Sequence, residues 1–459
     1  MLPWRRTVPG VVGSILLLTA APSTTAEDTI ASRARGLLER TVREDGPGAL
    51  FLVARGDTIV YRGTRGRGHI ELGVPLQAGQ VFRIASLTKT FVAASVLKLA
   101  ESGALSVDEP VARRLPEMRE ARGMTVRQLL NHTAGVSDTA QPSERSVTSR
   151  GYDRFTRVTA IGQRPLDFSP GSAWRYSNAG YIVLGALVER VTGTPWYVTL
   201  DRQFFARLGL RHTAYADAAT LRPGRVAGYT TDAGQVRNVE FISPTIPDAA
   251  GGLVSTADDL FRWWRALAAG RVISRESLRE MMTPAAETNG PIRYGLGVYV
   301  WTLRGETMIG HTGQIPGFAA MIGYLPARDV TIVALGNDDS FDARVVGRRL
   351  AAISTGTPYP DVVPVAVAGE ALQALTGQYR IDETTVRTLT VKDGRLYAQR
   401  GNGNVVPLQV TADGRLHFDP DDLSYFVPVR EPSGRIVRLD YYQDGEGPAQ
   451  PLPRVTVQR

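Results

Sequence analysis

Strand-like runs gathered at the two ends of one long segment, with a helix-rich stretch between them, predict a mixed α/β (α+β) fold. The expected architecture is an antiparallel sheet flanked by helices and carrying a helical lobe. A change of texture after residue 370 predicts a small all-β barrel behind it. Residues 28–43 open the pattern, with apolar Ile30, Ala34, Leu37 and Leu38 on one side of a helix. The runs 49–54 and 58–61, joined by Arg55-Gly56-Asp57, read as a hairpin. Runs 307–310, 317–324 and 330–335 read as three further strands, the last two joined by a turn at Pro326-Ala327-Arg328-Asp329. A closing helix is expected over 341–353. A sheet assembled from both ends of its segment, with a lobe inserted between, leaves a cleft at the seam, where binding sites commonly lie.

Beyond that sheet, residues 355–369 carry Pro358, Pro360 and Pro364 and read as a linker. Seven short alternating runs follow, at 377–382, 386–391, 395–399, 405–410, 415–418, 424–429 and 435–441. Asp393-Gly394, Asp413-Gly414 and Ser433-Gly434 mark turns between them. The chain thus divides into 1–26, 27–354, a linker at 355–369, and a β-barrel module at 370–459. No solenoid-type repeat is present.

Residues 1–26 have the pattern of a secretory signal. Arg5 and Arg6 supply the charged start, residues 11–20 the apolar stretch, and Thr24-Thr25-Ala26 small residues before a cut. The apolar stretch is too short to span a bilayer, and no cysteine follows it for lipid attachment. The expected location is therefore periplasmic or secreted, with no stable membrane anchor after signal cleavage. A net charge of +8 and a pI near 9.7 would suit a nucleic-acid binder, but the arginines are interspersed with acids and form no basic run. No nucleic-acid partner is expected. The complete absence of cysteine removes disulfides, thiol catalysis and thiolate metal sites. The five histidines form no His-x-x-x-His pair, and Gly66-x-Gly68 lacks the third glycine of a dinucleotide loop. Neither a metal nor an organic cofactor is expected. Oligomeric state stays open.

Lysine usage directs attention to one place. Of 53 basic residues only Lys89, Lys98 and Lys392 are lysines, and Lys89 closes Ser86-Leu87-Thr88-Lys89. Arginine stays charged at any working pH, whereas a desolvated lysine can lose its proton and act as a base. Residues 87–101, with Phe91, Val92, Val96, Leu97 and Leu99, read as a helix stopped near Gly103. Residues three apart on a helix share a face, so Lys89 can approach the Ser86 hydroxyl. The competing reading makes Ser86 a helix cap and Lys89 a surface lysine.

Two further elements stand beside this one. In Tyr176-Ser177-Asn178, alternate residues of extended chain point the same way, so a phenol and an amide can share a site. Gly310-His311-Thr312-Gly313-Gln314 lies on the edge of the expected C-terminal sheet. A lone histidine there suits packing as well as chemistry. Ser255-Thr256-Ala257-Asp258-Asp259 reads only as a helix cap, and no Gly-x-Ser-x-Gly elbow occurs.

In this order and spacing the three elements resemble the β-lactamase and penicillin-binding protein superfamily, and within it class C β-lactamases and serine D-Ala-D-Ala carboxypeptidases. Leu129-Leu130-Asn131-His132-Thr133-Ala134-Gly135, Gly251-Gly252-Leu253-Val254-Ser255-Thr256 and Tyr294-Gly295-Leu296-Gly297 also look like that family. The resemblance covers about residues 30–350, and the C-terminal module resembles the lipocalin-like β-domains that some members append. It implies a β-lactamase/transpeptidase-like fold and a serine hydrolase working through an acyl-enzyme.

The roles it implies are Ser86 as nucleophile, Lys89 as its activator and Tyr176 as proton relay. Asn178 would position Lys89 and the substrate, and the strand residues His311, Thr312, Gly313 and Gln314 would bind substrate. The N–H groups of Ser86 and Gln314 would form the oxyanion hole. Class C β-lactamases normally carry lysine where this chain has His311, and an imidazole, mostly neutral at pH 7, attracts a substrate carboxylate less. The departure favours carboxypeptidase, D-aminopeptidase or esterase activity over a class C-like β-lactamase. A non-turnover penicillin- or muropeptide-binding sensor is a further alternative. The partner is expected to be a small-molecule or peptide substrate: a cell-wall peptide, D-amino-acid amide, ester or β-lactam. The task of His311 stays open among catalysis, substrate binding and structure.

Overall fold

The run Ala49–Arg55 is apolar as far as Ala54, and it forms a strand, β1, buried on both faces. Its side chains alternate between two cores, as strand geometry requires. Leu50, Leu52 and Ala54 join one core, while Ala49, Phe51 and Val53 join the other. The computed structural model describes residues 26–118, 123–138, 153–232, 234–284, 286–287, 293–418 and 423–455. The signal-like stretch therefore lies outside the described residues, except for Ala26. Among the described residues no helix is long and apolar enough to cross a membrane.

Around β1 an antiparallel sheet assembles from β2 (Thr58–Arg65), β3 (Ala286–Glu287), β4 (Arg293–Tyr294), β5 (Tyr299–Leu303), β6 (Glu306–Ile315), β7 (Phe318–Leu325) and β8 (Val330–Gly336). Their spatial order is β3-β4-β5-β6-β7-β8-β1-β2, so strands from both ends of the segment meet at the β8–β1 pair. Helices α1 (Ala26–Thr41) and α5 (Ala343–Ser354) cover one face through Ile30, Ala34, Leu37, Leu38, Val346 and Leu350. The other face packs against α2 (Thr88–Glu101) and α4 (Ala257–Ala268), with the helical lobe that includes α3 (Asn178–Thr192) completing this core. Thr256 caps α4 by accepting from Asp259 N, as the 255–259 stretch suggests.

The expected strand at 307–310 runs on to Ile315. Its two glycines weaken the strand pattern, because they offer no side chain to pack. Arg304 and Gly305, both at positive φ, form the tight two-residue turn before it.

The C-terminal module is an eight-stranded antiparallel meander in sequential order, from Gly377–Arg380 to Gln450–Pro453. A bridge between Tyr379 and Arg454, and Val455 N donating to Gln378 O at 2.8 Å, almost close it into a barrel. Its eighth strand carries Pro451 and Pro453, which hide a strand signature. A helix, Gly369–Leu375, begins at the last residue of the expected linker and sends Leu372 and Leu375 into the barrel core.

This module meets α5 through acids in the 443–446 turn. Asp444 pairs with Arg344. Glu446 accepts from Arg304 N at 2.9 Å and from the Tyr359 hydroxyl, and lies 3.7 Å from Arg348. The Arg348 side chain is only 2% exposed, so this carboxylate neutralises an interior charge. Removing one partner of such a pair leaves the other buried and uncompensated. Glu446→Ala is accordingly expected to destabilise the protein by about 2–4 kcal/mol, read as a lower midpoint of urea unfolding. Glu446→Gln, which keeps an acceptor, should lose less.

Candidate active site

The short strand Phe82–Arg83 pairs with Leu253–Ser255 and delivers the chain into a single 3-10 turn, Ala85–Leu87. Ala85 has φ +47, an uncommon conformation for a residue with a side chain. The turn places Ser86 ahead of α2 rather than within it. Leu87 occupies the capping position and makes no side-chain cap. Ser86 is therefore not the helix cap of the competing reading, and Lys89, fully buried, is not a surface lysine.

Three oxygens surround the Lys89 amine: Ser86 Oγ at 3.0 Å, Asn178 Oδ1 at 2.9 Å and Ala250 O at 2.8 Å. Burial pushes its pKa well below the ordinary lysine value, opposed by the charge of Asp138. A neutral amine has two N–H donors and one lone pair. The Ala250 carbonyl can only accept, and so can Asn178 Oδ1. Both N–H groups are thereby committed, and the lone pair is left for the Ser86 hydroxyl, the one neighbour able to donate.

Asp138 determines which end of the Asn178 amide faces the lysine. Asn178 Nδ2 donates to Asp138 Oδ2 at 3.0 Å, which turns Oδ1 towards Lys89. The other carboxylate oxygen accepts from Ala179 N at 2.8 Å and from Ser177 Oγ at 3.2 Å, tying down the first turn of α3. The Ala250 carbonyl is held by a second anchor. Asp248, preceding it in a tight turn, binds Arg154 at 2.7 Å and the Trp196 indole N–H at 2.8 Å.

Tyr176 lies over the same amine, with Lys89 Nζ 4.7 Å from its ring centroid. Burial, and next the nearby Tyr299, raise the phenol's pKa well above the ordinary tyrosine value, while a hydrogen bond with Ser86 acts the other way. The ring packs 4.4 Å from that of His132, whose Nδ1 accepts from Ser177 N at 3.2 Å. Tyr176 and Asn178 thus share one cavity, as alternate residues of extended chain should.

The strand β6 pairs with β5 only as far as Gly310. From His311 to Ile315 it keeps β7 on one side. The expected edge is therefore the far half of an interior strand. Gly313 lies against the Ser86 turn so closely that a Cβ there would fall 2.5 Å from Ile84 O and 3.0 Å from Ser86 N. His311 is buried, with Nδ1 2.5 Å from Thr312 O and Nε2 3.0 Å from the Tyr294 hydroxyl. A carbonyl can only accept, so Nδ1 carries the proton and Nε2 accepts from Tyr294. Burial, reinforced by Lys89, lowers the imidazole pKa to about 3. Gln314 donates through its side chain to Asp339 O at 2.6 Å.

Ser86, Tyr176, Asn178, His311, Thr312 and Gln314 line one cavity of about 370 Å³, with Lys89 behind its wall. Arg83, Ile242, Ile246 and Tyr299 complete much of the lining. Asp138, Arg83 and Tyr299 were not singled out from sequence. An acid in a loop and one arginine among many carry no periodic signal, although Arg83 stands only three residues before Ser86. Among the described residues no group of three or more histidines and acids could hold a metal ion.

The sequence model of the Beta-lactamase family matches residues 33–356. Penicillin-binding protein 4* of Bacillus subtilis (strain 168) is 28% identical over 389 residues, covering 76% of this chain and 82% of its own length. Esterase EstB of Burkholderia gladioli is 32% identical over 309 residues, 57% of this chain and 78% of its own. Among solved structures, a D-stereospecific amidohydrolase from Streptomyces sp. superposes with a TM-score of 0.62 at 27% identity, over 71% of this chain and 99% of that one. A family match of this extent, over the segments that build the cleft, places the chain in the beta-lactamase family, as a serine hydrolase of the β-lactamase and DD-peptidase superfamily.

Proposed function

We propose that this protein is an exported hydrolase that cleaves an amide or ester bond through an acyl-enzyme on Ser86, of the D-Ala-D-Ala carboxypeptidase, D-aminopeptidase or esterase type. The observation that carries the reading is the Lys89 amine, buried, depressed in pKa and left with one direction in which to accept a proton, that of Ser86 Oγ. Ser86 attacks the scissile carbonyl while Lys89 takes its proton. Tyr176, kept protonated by burial, passes a proton to the leaving group, and in deacylation it helps position and activate water. Asn178 holds Lys89 and the substrate amide. The backbone N–H groups of Ser86 and Gln314 stabilise the oxyanion, where pre-aligned donors contribute about 3–4 kcal/mol to the barrier. Thr312 and Gly313 bind substrate along the open half of β6, and His311 holds that strand by its bond to Thr312 O.

The neutral state of His311 supports a peptidase or esterase over a β-lactamase, because the cation that a lysine there would offer is missing. Relatives named for esterase and D-stereospecific amidohydrolase activity support the same choice. The catalytic unit is read as residues 27–354, joined through 355–369 to the barrel at 370–459. Export to the periplasm or medium rests on the pattern of residues 1–26. Steady-state assays with D-Ala-D-Ala peptides, D-amino-acid amides, short-chain esters and a chromogenic cephalosporin select among the activities. An initial burst followed by stalling on all of them would instead mark a penicillin- or muropeptide-binding sensor.

An acylating probe should add its mass to the peptide containing Ser86 and leave Ser86→Ala unlabelled. An adduct that persists in the alanine variant sinks the assignment. Lys89→Arg, whose side chain never deprotonates, and the near-isosteric Lys89→Met should both lose at least about 10³-fold in acylation rate.

Activity needs neutral Lys89, so it falls as pH drops through the depressed lysine pKa and is full above it. Asp138→Asn removes the charge that holds this pKa up, so the acid limb should move to lower pH. The new carboxamide also sets a donor against Asn178 Nδ2 and drives that amide to turn round. A fall in kcat of about 10²-fold with KM changed less than about threefold is expected. An unmoved acid limb would leave Asp138 only a structural role.

A further inference from the structure

Arg83 lines both the cavity over Ser86 and a second cavity of about 240 Å³, so it stands between the two. Arg83 Nη1 donates to the Ile242 carbonyl at 3.2 Å, while Nε and Nη2 are buried without a hydrogen-bond partner among the described residues. The charged and titratable groups that act on it are Tyr215 and another cation, Arg225. A guanidinium held this way ordinarily carries an anionic partner.

Two more arginines stand on the wall of the second cavity. Arg225 is exposed, and Arg222 donates to Tyr215 O at 2.8 Å while its Nε has no partner among the described residues. Two acids face them, Asp217 and Glu240, so three guanidinium groups meet two carboxylates. Asp217 is largely occupied, accepting from Ala219 N at 3.0 Å and Thr220 Oγ1 at 2.5 Å. Phe241 and Phe318 give the same cavity an apolar side. In the catalytic cavity the other basic groups are committed: Lys89 to three hydrogen-bond partners, His311 to two.

We propose that Arg83, backed by Arg222 and Arg225, is an anion-recognition subsite, and that the preferred substrates carry a carboxylate on the part that extends from the scissile bond past Arg83. The inference rests on Ser86 as the acylated residue and adds the substrate class. The second cavity is smaller than a typical drug-sized pocket, which suits a short chain ending in the anion.

Two matched pairs of substrates test it. The acyl-side pair is p-nitrophenyl butyrate against the mono-p-nitrophenyl ester of glutaric acid. The leaving-group pair is an acyl-D-Ala-D-Ala peptide against its C-terminal amide. The wild-type protein should prefer the anionic member of one pair by about tenfold or more in kcat/KM, and added salt should shrink the preference. The pair that shows it tells on which side of the scissile bond the carboxylate lies. Arg83→Gln should cut this ratio at least about fivefold. Arg225→Gln, at an exposed position, should lower it in the same direction. Turnover of neutral substrates with no anionic preference in either pair overturns the subsite and leaves the acyl-enzyme reading intact. An unchanged ratio in both variants overturns it as well. Failure of every substrate to acylate Ser86 overturns that reading and, with it, the subsite.

Discussion

One amine without a carboxylate partner sets the terms for the rest of this structure. A charged lysine as deeply buried as Lys89 is costly, and among the described residues no carboxylate forms an ion pair with it to offset the cost. The fold supplies instead three neutral hydrogen-bond partners from three distant stretches of chain: the 3-10 turn before α2, the first residue of α3, and the carbonyl within the Asp248 turn. Each has its own anchor. Gly313 lets the strand β6 lie against the Ser86 turn, Asp138 orients Asn178, and Arg154 with Trp196 fixes Asp248. The sheet and lobe bring these anchors together around a group that is easiest to bury when neutral.

The aromatic surroundings act in the same direction. Tyr176, Tyr181, Tyr294 and Tyr299 all have pKa values pushed upward by burial, while Lys89, His132 and His311 are all pushed down. Each of these seven groups is thereby driven towards its neutral form. Asp138 lies one hydrogen bond behind Asn178, where its charge acts on the lysine through an intervening amide. This spacing lets a carboxylate orient the site without forming the salt bridge that would keep Lys89 protonated.

Features that repeat along the chain were legible in the sequence. The period of Ile30, Ala34, Leu37 and Leu38, the continuous apolar run of β1 and the turn dipeptides of the barrel each reflect burial of one face or both. The Ser86-Lys89 spacing was legible because lysine is so scarce. Features that depend on contacts between distant segments were not. Gly313 interrupts the strand pattern in the far half of β6, and its reason appears only when Ile84 and Ser86 are found against it. The eighth barrel strand hides behind its prolines, and Asp138 and Arg83 acquire meaning only from Asn178 and the two adjoining cavities.

The positive φ of Ala85 belongs to the same logic. Were residues 85 and 86 simply helical, α2 would begin earlier and Ser86 would lie inside its first turn, not in a separate turn ahead of it. The turn instead breaks the chain direction between the short strand Phe82–Arg83 and the helix, at a backbone cost of order 1–3 kcal/mol. Its neighbours leave little room for relaxation, because a Cβ built at Gly313 would press on Ile84, Ala85 and Ser86, and one at Gly251 would already reach contact distance of Ala85. Gly313 permits the approach, and the packed sheet behind β6 prevents retreat. The strain is therefore held from outside the turn, by elements whose own stability comes from the two cores. A site of this kind can keep Ser86 displayed towards the cavity without any bound ligand, so binding energy need not be spent on building it.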